Sequence, residues 1–327
     1  MDYNQIASGL PRSSVLAFGC ASIMGRVGKK QSVQALHRAF DAGITHFDVA
    51  RSYGYGEAEN CVGSALKRYR EHVVIATKFG VSPPQFSRTL RHLKPIVQQV
   101  IKIFPASRAL AKKSAQVINF AALPGQFSLR EAMVSVDKSL LSLKTDYIDI
   151  LFLHECFCRD LTDEIVAFLQ SLVSAGKIRV YGVATSIDHA ITIQKKFGNQ
   201  FIFQFPDGIT HVNSQKLALQ NVSFLTHSPF LKADKLLKYI VNYKNALQSI
   251  GLFPLQTEDV YALMLSYSIS KNKNGAVIAS MLNDNHLRNN IRTIEYPRYT
   301  SAQMDNFFQM VQHWMSEKNE RINVAGD

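Results

Sequence analysis

Asp48, Tyr53, Lys78 and His154 are the side chains of this sequence whose types together could move a proton to or from a reacting oxygen. A tyrosine with an ordinary pKa near ~10 is a poor acid at neutral pH, and bringing it to about 7 takes on the order of 4 kcal/mol of preferential stabilisation of the phenolate. One ammonium at about 4 Å in an effective dielectric near 20 supplies roughly that amount. Lys78 is the expected source. Asp48 is expected to pair with Lys78, fixing its position and keeping it charged, because an unpaired buried ammonium tends to lose its proton. His154 adds a ring N–H that can donate a hydrogen bond. Taken singly, a strand-end Asp or Lys is usually a structural ion pair and a strand His usually packs; only the set together points to chemistry.

The set needs elements that bring it together. Short β-branched or aromatic runs alternate with longer segments of helical apolar spacing, the pattern of βα units. Candidate strands lie at Val15–Phe18, Thr45–Asp48, Val73–Thr77, Ile148–Leu153, Val180–Ala184, Ile202–Phe205, Val222–Leu225 and Ala276–Ala279. Ser32–Ala42, Glu57–Tyr69 and Leu129–Leu143 carry apolar residues on one helical face, and Gly43 and Gly176 stand where helix ends are expected. Eight parallel strands with intervening helices close into a (β/α)8 TIM barrel, an α/β fold that gathers strand-end residues at one mouth. A doubly wound open sheet is the runner-up. The expected organisation is a single barrel domain over 1–327, with a C-terminal helical extension over 295–327.

Two spacings are abnormal: about 70 residues separate the third and fourth candidate strands and about 50 the seventh and eighth, and the first of these gaps is the longer. A long basic insertion, or lid, over 82–127 is expected there, directly after Lys78, with an amphipathic helix around Leu93–Phe104. The chain has 37 Lys+Arg against 25 Asp+Glu, a net charge of +12. Between His72 and Arg130 there is no acidic residue but nine basic ones, and the rest of the chain holds 28 basic against 25 acidic. The positive excess is therefore local. It suits either an anionic or carrier-linked substrate or a solvated rim.

The contexts Thr45-His46-Phe47-Asp48-Val49-Ala50-Arg51-Ser52-Tyr53-Gly54-Tyr55-Gly56-Glu57, Ile75-Ala76-Thr77-Lys78-Phe79-Gly80 and Tyr147-Ile148-Asp149-Ile150-Leu151-Phe152-Leu153-His154 resemble the aldo-keto reductase family. The resemblance covers roughly residues 14–293 and implies a nicotinamide cofactor. It makes Tyr53 the general acid or base, with Lys78 and Asp48 tuning it and His154 orienting the substrate. It also implies cofactor contacts from Thr185, Gln204, His227, Ser228, Ser280, His286, Arg288 and Asn290. Departures from the family pattern are instructive. Ala184-Thr185 stands where a Ser-Asn pair is usual, and His227 where an aromatic ring stacks on the nicotinamide. Ser280 and Leu282 replace a Gly and an Arg, and a missing Arg removes a bidentate phosphate clamp. NADP(H) is favoured and NAD(H) stays open.

The implied activity is oxidoreduction between a carbonyl (an aldehyde, ketone or sugar lactone) and the corresponding alcohol or hemiacetal, on a small-molecule substrate. Phe18-Gly19-Cys20-Ala21-Ser22 resembles the sugar dehydrogenase branch. The alternative is a non-catalytic cofactor-binding regulatory or interaction protein of the same fold. His154, Cys156 and Cys158 alternate, but no fourth ligand or supporting partner makes a zinc pattern, so no metal is expected. Cys156, Phe157 and Cys158 are expected to line the substrate pocket. No nucleic-acid motif accompanies the basic window. Four cysteines, no leader pattern and no spanning apolar run lead to the expectation of a cytoplasmic protein without a transmembrane segment.

Overall fold

The computed structural model describes residues 1–83, 125–217 and 223–324. Eight parallel strands close into a barrel. In chain order they are β1 (Leu16–Gly19), β2 (His46–Asp48), β3 (Val74–Phe79), β4 (Ile148–His154), β5 (Ile178–Ala184), β6 (Ile202–Pro206), β7 (Phe224–His227) and β8 (Ala276–Ala279). The helices are α1 (Lys29–Asp41), α2 (Ala58–Leu66), α3 (Leu129–Leu143), α4 (Asp163–Ser174), α5 (Ile187–Phe197), α6 (Ala233–Ile240), α7 (Lys244–Ser249), α8 (Thr257–Lys271), α9 (Asp284–Glu295) and α10 (Ser301–Val324). The barrel expected from the alternating pattern is thus present. It departs from strict alternation between β6 and β7, where the described residues hold only the single turn Ser214–Lys216. Helix α1 starts three residues earlier than its apolar spacing suggests, at Lys29, and Gly43 follows its end with φ 85°.

Register explains why the barrel assembles a site. Paired residues on parallel strands share a face, and residues two apart along a strand do too. Asp48 pairs with Ala76, two before Lys78. Lys78 pairs with Phe152, two before His154. His154 pairs with Ala184, which pairs with Gln204. Gln204 pairs with Leu225, two before His227. Asp48, Lys78, His154, Gln204 and His227 are therefore on one face. Their lower neighbours Ala76, Phe152, Ala184 and Leu225 belong to the buried cluster that fills the barrel, closed beneath by Ile6 and Leu10. A separate buried cluster joins Ile209 to α6, α8 and α10 through Leu236, Met264, Phe307, Val311 and Trp314.

The expected insertion over 82–127, including its seven Lys/Arg and the helix around Leu93–Phe104, lies for the most part outside the described residues. Its flanks are described: the Gln126 amide donates to the Gly80 carbonyl at 3.0 Å, and the Phe79 and Phe127 rings meet edge to face at 6.1 Å. The chain thus leaves β3 and returns at one point of the rim. Ser128 and Glu131 then cap α3 reciprocally.

A buried carboxylate, not anticipated from the sequence, ties β3 to β4 below the site. Asp149 is fully buried, accepts from the Ile75 amide at 2.9 Å, and pairs with Arg70 at 2.7 Å and Arg179 at 3.2 Å. Arg70 also donates to the carbonyls of Val73 and Tyr147 and to the Thr145 hydroxyl. Removing one partner of a buried pair leaves an uncompensated charge, which costs about 3–5 kcal/mol. Arg70→Ala, with Arg179 still in place, is expected to lose about 3 kcal/mol of unfolding free energy in urea. A loss below about 0.5 kcal/mol, the scale of an ordinary surface substitution, would contradict this role.

Candidate active site

The last residue of β2, the penultimate residue of β3 and the last residue of β4 place Asp48, Lys78 and His154 at the mouth. Lys78 Nζ donates to Asp48 Oδ1 at 2.6 Å and to the Val49 carbonyl at 3.0 Å, and both side chains are almost fully buried. Tyr53 enters from the turn after β2. Lys78 Nζ lies 5.2 Å from the centroid of its ring, and the Tyr53 and His154 rings meet edge to face with centroids 6.0 Å apart. The structure therefore brings all four expected residues together. The turn that delivers Tyr53 depends on Gly54, whose φ is 57° and where a Cβ would fall 2.7 Å from the Ile23 carbonyl oxygen.

Electrostatics in the site follow from burial against charge. Burial pulls the Lys78 ammonium toward neutrality, but Asp48 and Tyr53 outweigh it and its pKa is raised. Tyr53 shows the opposite balance. Burial pushes its phenol above the ordinary value; the charge and hydrogen bond of Lys78 pull it down, Asp48 and Cys20 push it up, and the net shift is upward. A tyrosine brought to about 7 is what the charge of one ammonium alone would give; desolvation of the buried phenolate acts against it and is the larger effect. Tyr53 is thus a neutral phenol at physiological pH. Burial first and Lys78 second hold His154 neutral, with its pKa down at about 3. It remains a hydrogen-bond donor through its single N–H.

The residues expected to hold a cofactor are only partly free to do so. Gln204, on β6, donates through Nε2 to Asp48 Oδ1 at 2.9 Å. A carboxylate only accepts, so the orientation of the amide is fixed and Oε1 is left buried without a partner. That orphaned acceptor fits the N–H of a nicotinamide carboxamide. Thr185, after β5, spends its hydroxyl hydrogen on the Cys156 carbonyl at 2.9 Å, so it offers lone pairs and no donor. His227 ends β7 and contacts the Ser228 hydroxyl at 2.9 Å. Burial holds its pKa at about 4, Asp48 opposing and Lys78 adding to the depression. Ser228 is exposed with φ 64°, and Ser280 is exposed just past β8.

On α9, Asn290 is buried while His286 and Arg288 are exposed. Arg288 is already paired with Asp284 at 2.8 Å, and Arg38 of α1 reaches the same carboxylate at 3.5 Å and the Leu282 carbonyl at 3.4 Å. Arg38 is thus a second guanidinium beside the position that lacks the family's arginine, and nothing in its own helix pattern marks it. Cys156 does not line a pocket: it is fully buried in the core, and burial raises its thiol pKa. Phe157 is the exposed residue of that loop, against His189 at 4.4 Å. Among the described residues no group of three or more His, Cys, Asp or Glu is placed to hold a metal ion, and no helix is long and apolar enough to cross a membrane.

The model of the aldo/keto reductase family matches residues 15–203. Aldo-keto reductase YhdN of Bacillus subtilis (strain 168) is 29% identical over 190 residues, 56% of this chain and 47% of that protein. Versiconal hemiacetal acetate reductase of Aspergillus parasiticus is 29% identical over 197 residues, 57% of this chain and 51% of that protein. The chain spans about half the length of the curated relatives it matches. Among solved structures, the holo form of aldo-keto reductase AKR11C1 from Bacillus halodurans superimposes with a TM-score of 0.69 at 21% identity, over 95% of this chain and 96% of that one. An aldo-keto reductase from Klebsiella pneumoniae in complex with NADPH gives 0.62 at 19% identity, over 91% and 92%. These structural likenesses bear on the fold.

His46, beneath the site on β2, is fully buried, and burial lowers its pKa to about 4, as for His227. The unfolded chain binds protons at His46, His154 and His227 near the ordinary value of about 6.5. Stability from keeping them neutral is full above that pH and is lost as pH falls toward their folded values. In histidine ring NMR spectra these three are expected to remain neutral at pH 5.5, where exposed histidines have charged. Charging of any of the three near pH 6.5 would contradict the burial argument.

Proposed function

Because this chain belongs to the aldo-keto reductase family, whose members are oxidoreductases, we propose that it interconverts a carbonyl and an alcohol with a nicotinamide cofactor, NADP(H) ahead of NAD(H). The observation that carries the reading is the buried Asp48–Lys78 pair set against Tyr53 and His154 at one barrel mouth. Gln204, His227, Ser228, Ser280 and Asn290 would hold the cofactor, with Thr185 accepting and His286, Arg288 and Arg38 near its distal end. When bound, the nicotinamide supplies or takes up the hydride.

The chain's own residues handle the proton. In the reductive direction Tyr53 gives its phenolic proton to the carbonyl oxygen as negative charge builds there. An alkoxide is a far stronger base than a phenolate, so a raised Tyr53 pKa does not prevent the transfer. Lys78 counters the phenolate charge at the moment it forms, and Asp48 keeps Lys78 charged and in place. Neutral His154 donates to the same oxygen and orients it. In the oxidative direction Tyr53 must first lose its proton, so the rate of alcohol oxidation is expected to climb with pH through 9, while reduction near neutrality stays supplied with acid.

A small carbonyl compound is the proposed substrate. The acid-free basic window beside Lys78 supports an anionic or carrier-linked one. Versiconal hemiacetal acetate reductase among the relatives supports including hemiacetal-type substrates. A cofactor-binding protein without turnover is the competing reading, and Tyr53→Phe decides between them. It is expected to lower kcat for NADPH-dependent carbonyl reduction by about 10²–10⁴ with NADPH affinity within about twofold. Unchanged turnover would overturn the assignment of Tyr53, and no turnover in the wild type with any carbonyl would favour the competing reading.

A further inference from the structure

The segment 228–232 leaves the rim directly after His227, and it carries two non-glycine residues with positive φ, Ser228 at 64° and Lys232 at 62°. Such a conformation persists only where its surroundings impose it. The surroundings here are the loop that follows β6. Asp207 closes this loop on itself: Oδ1 accepts the amides of Asn213 at 2.7 Å and Ser214 at 3.1 Å, and the Asn213 side chain donates to the Pro206 carbonyl at 2.7 Å. From behind, Gln312 of α10 donates to the Ile209 carbonyl at 2.8 Å, and Ile209 is fully buried.

From this braced loop two side chains form a directed relay. The Thr210 hydroxyl lies 2.7 Å from the Leu231 carbonyl and 3.2 Å from His211 Nδ1. A carbonyl only accepts, so the one hydroxyl hydrogen goes to Leu231. Nδ1 of His211 must then carry the proton and donate to Thr210 Oγ1. The imidazole stays neutral, since burial lowers its pKa and Lys232 adds to this against Asp207. Gly208 completes the contact: a Cβ there would come 2.9 Å from the His211 ring and 3.1 Å from the Pro229 carbonyl oxygen, so a side chain would press the two loops apart. No part of this relay touches the proton-handling residues.

We propose that the His211–Thr210–Leu231 relay is the positioning device that sets segment 228–232 and, through it, the affinity for the phosphate-bearing cofactor. This rests on the reading of Ser228 as a cofactor contact. The relay acts on binding and leaves the proton-transfer step alone. Its loss therefore separates affinity from turnover, which a general loss of structure does not do.

The test is NADPH fluorescence titration, with kcat at saturating NADPH and amide hydrogen exchange of 228–236, in the full chain. Thr210→Val and His211→Leu are each expected to raise the NADPH Kd about fivefold, the scale of one hydrogen bond. The double variant should be no worse than the worse single one, because both break one relay. Exchange of 228–236 should quicken while kcat stays within about twofold. Thr210→Ser, which keeps the hydroxyl, should match the wild type. A Kd within twofold of wild type in both single variants, quickened exchange without a change in Kd, or failure of Thr210→Ser to restore affinity would each overturn the proposal. Absence of NADPH and NADH binding in the wild type would instead overturn the cofactor reading itself, and this proposal with it.

Discussion

Everything at the barrel mouth is arranged around one ion pair in a place where charge is expensive. Asp48 and Lys78 meet at 2.6 Å with both side chains nearly fully buried. Each ion costs several kcal/mol to desolvate, and the pair persists only if its remaining hydrogen-bonding capacity is used. It is used: Lys78 also donates to the Val49 carbonyl, and Asp48 also accepts from Gln204. The second contact links the pair to Gln204, whose unpartnered Oε1 is proposed to meet a nicotinamide amide, so the burial of the pair and the orientation of Gln204 have one origin.

The pair divides the titratable groups around it. Burial dominates the shift at Tyr53, His46, His154 and His227, leaving all four neutral. Lys78 stays charged against its burial, because Asp48 is in contact with it. The site is one buried ion pair, its ammonium facing the Tyr53 ring, surrounded by neutral donors and acceptors. That arrangement suits stabilising an oxyanion or phenolate as it forms, with little reorganisation. Beneath, a second buried pair joins Asp149, in the strand that carries His154, to Arg70, in the turn that leads into the strand carrying Lys78.

Much of this was legible in the amino-acid order because strand-end polar residues after apolar runs are a local signal, and barrel closure makes their convergence a geometric consequence. Asp48, Lys78 and His154 needed only the period-two alternation of their strands. The sequence was less informative where the outcome depends on competition or on distant partners. The direction of the Tyr53 shift depends on how thoroughly the ring is buried, which no local pattern states. Thr185 and Arg288 are both expected to contact a cofactor, yet the Cys156 carbonyl takes the hydroxyl hydrogen of Thr185, and Asp284, one helical turn earlier, pairs with Arg288. Cys156 alternates with His154 in sequence, yet the left-handed Glu155 between them, with φ 57°, breaks the strand and turns Cys156 into the core.

One buried ammonium, held by Asp48, thus faces a tyrosine that burial keeps protonated. The ionisation of Tyr53, followed by NMR of ring-labelled tyrosine in the wild type and in Lys78→Met, tests it most directly. The expected result is a neutral phenol up to pH 10 in the wild type and an ionisation that moves higher still when the ammonium is removed. A Tyr53 that ionises near neutral pH, or one whose ionisation does not respond to Lys78, would contradict it.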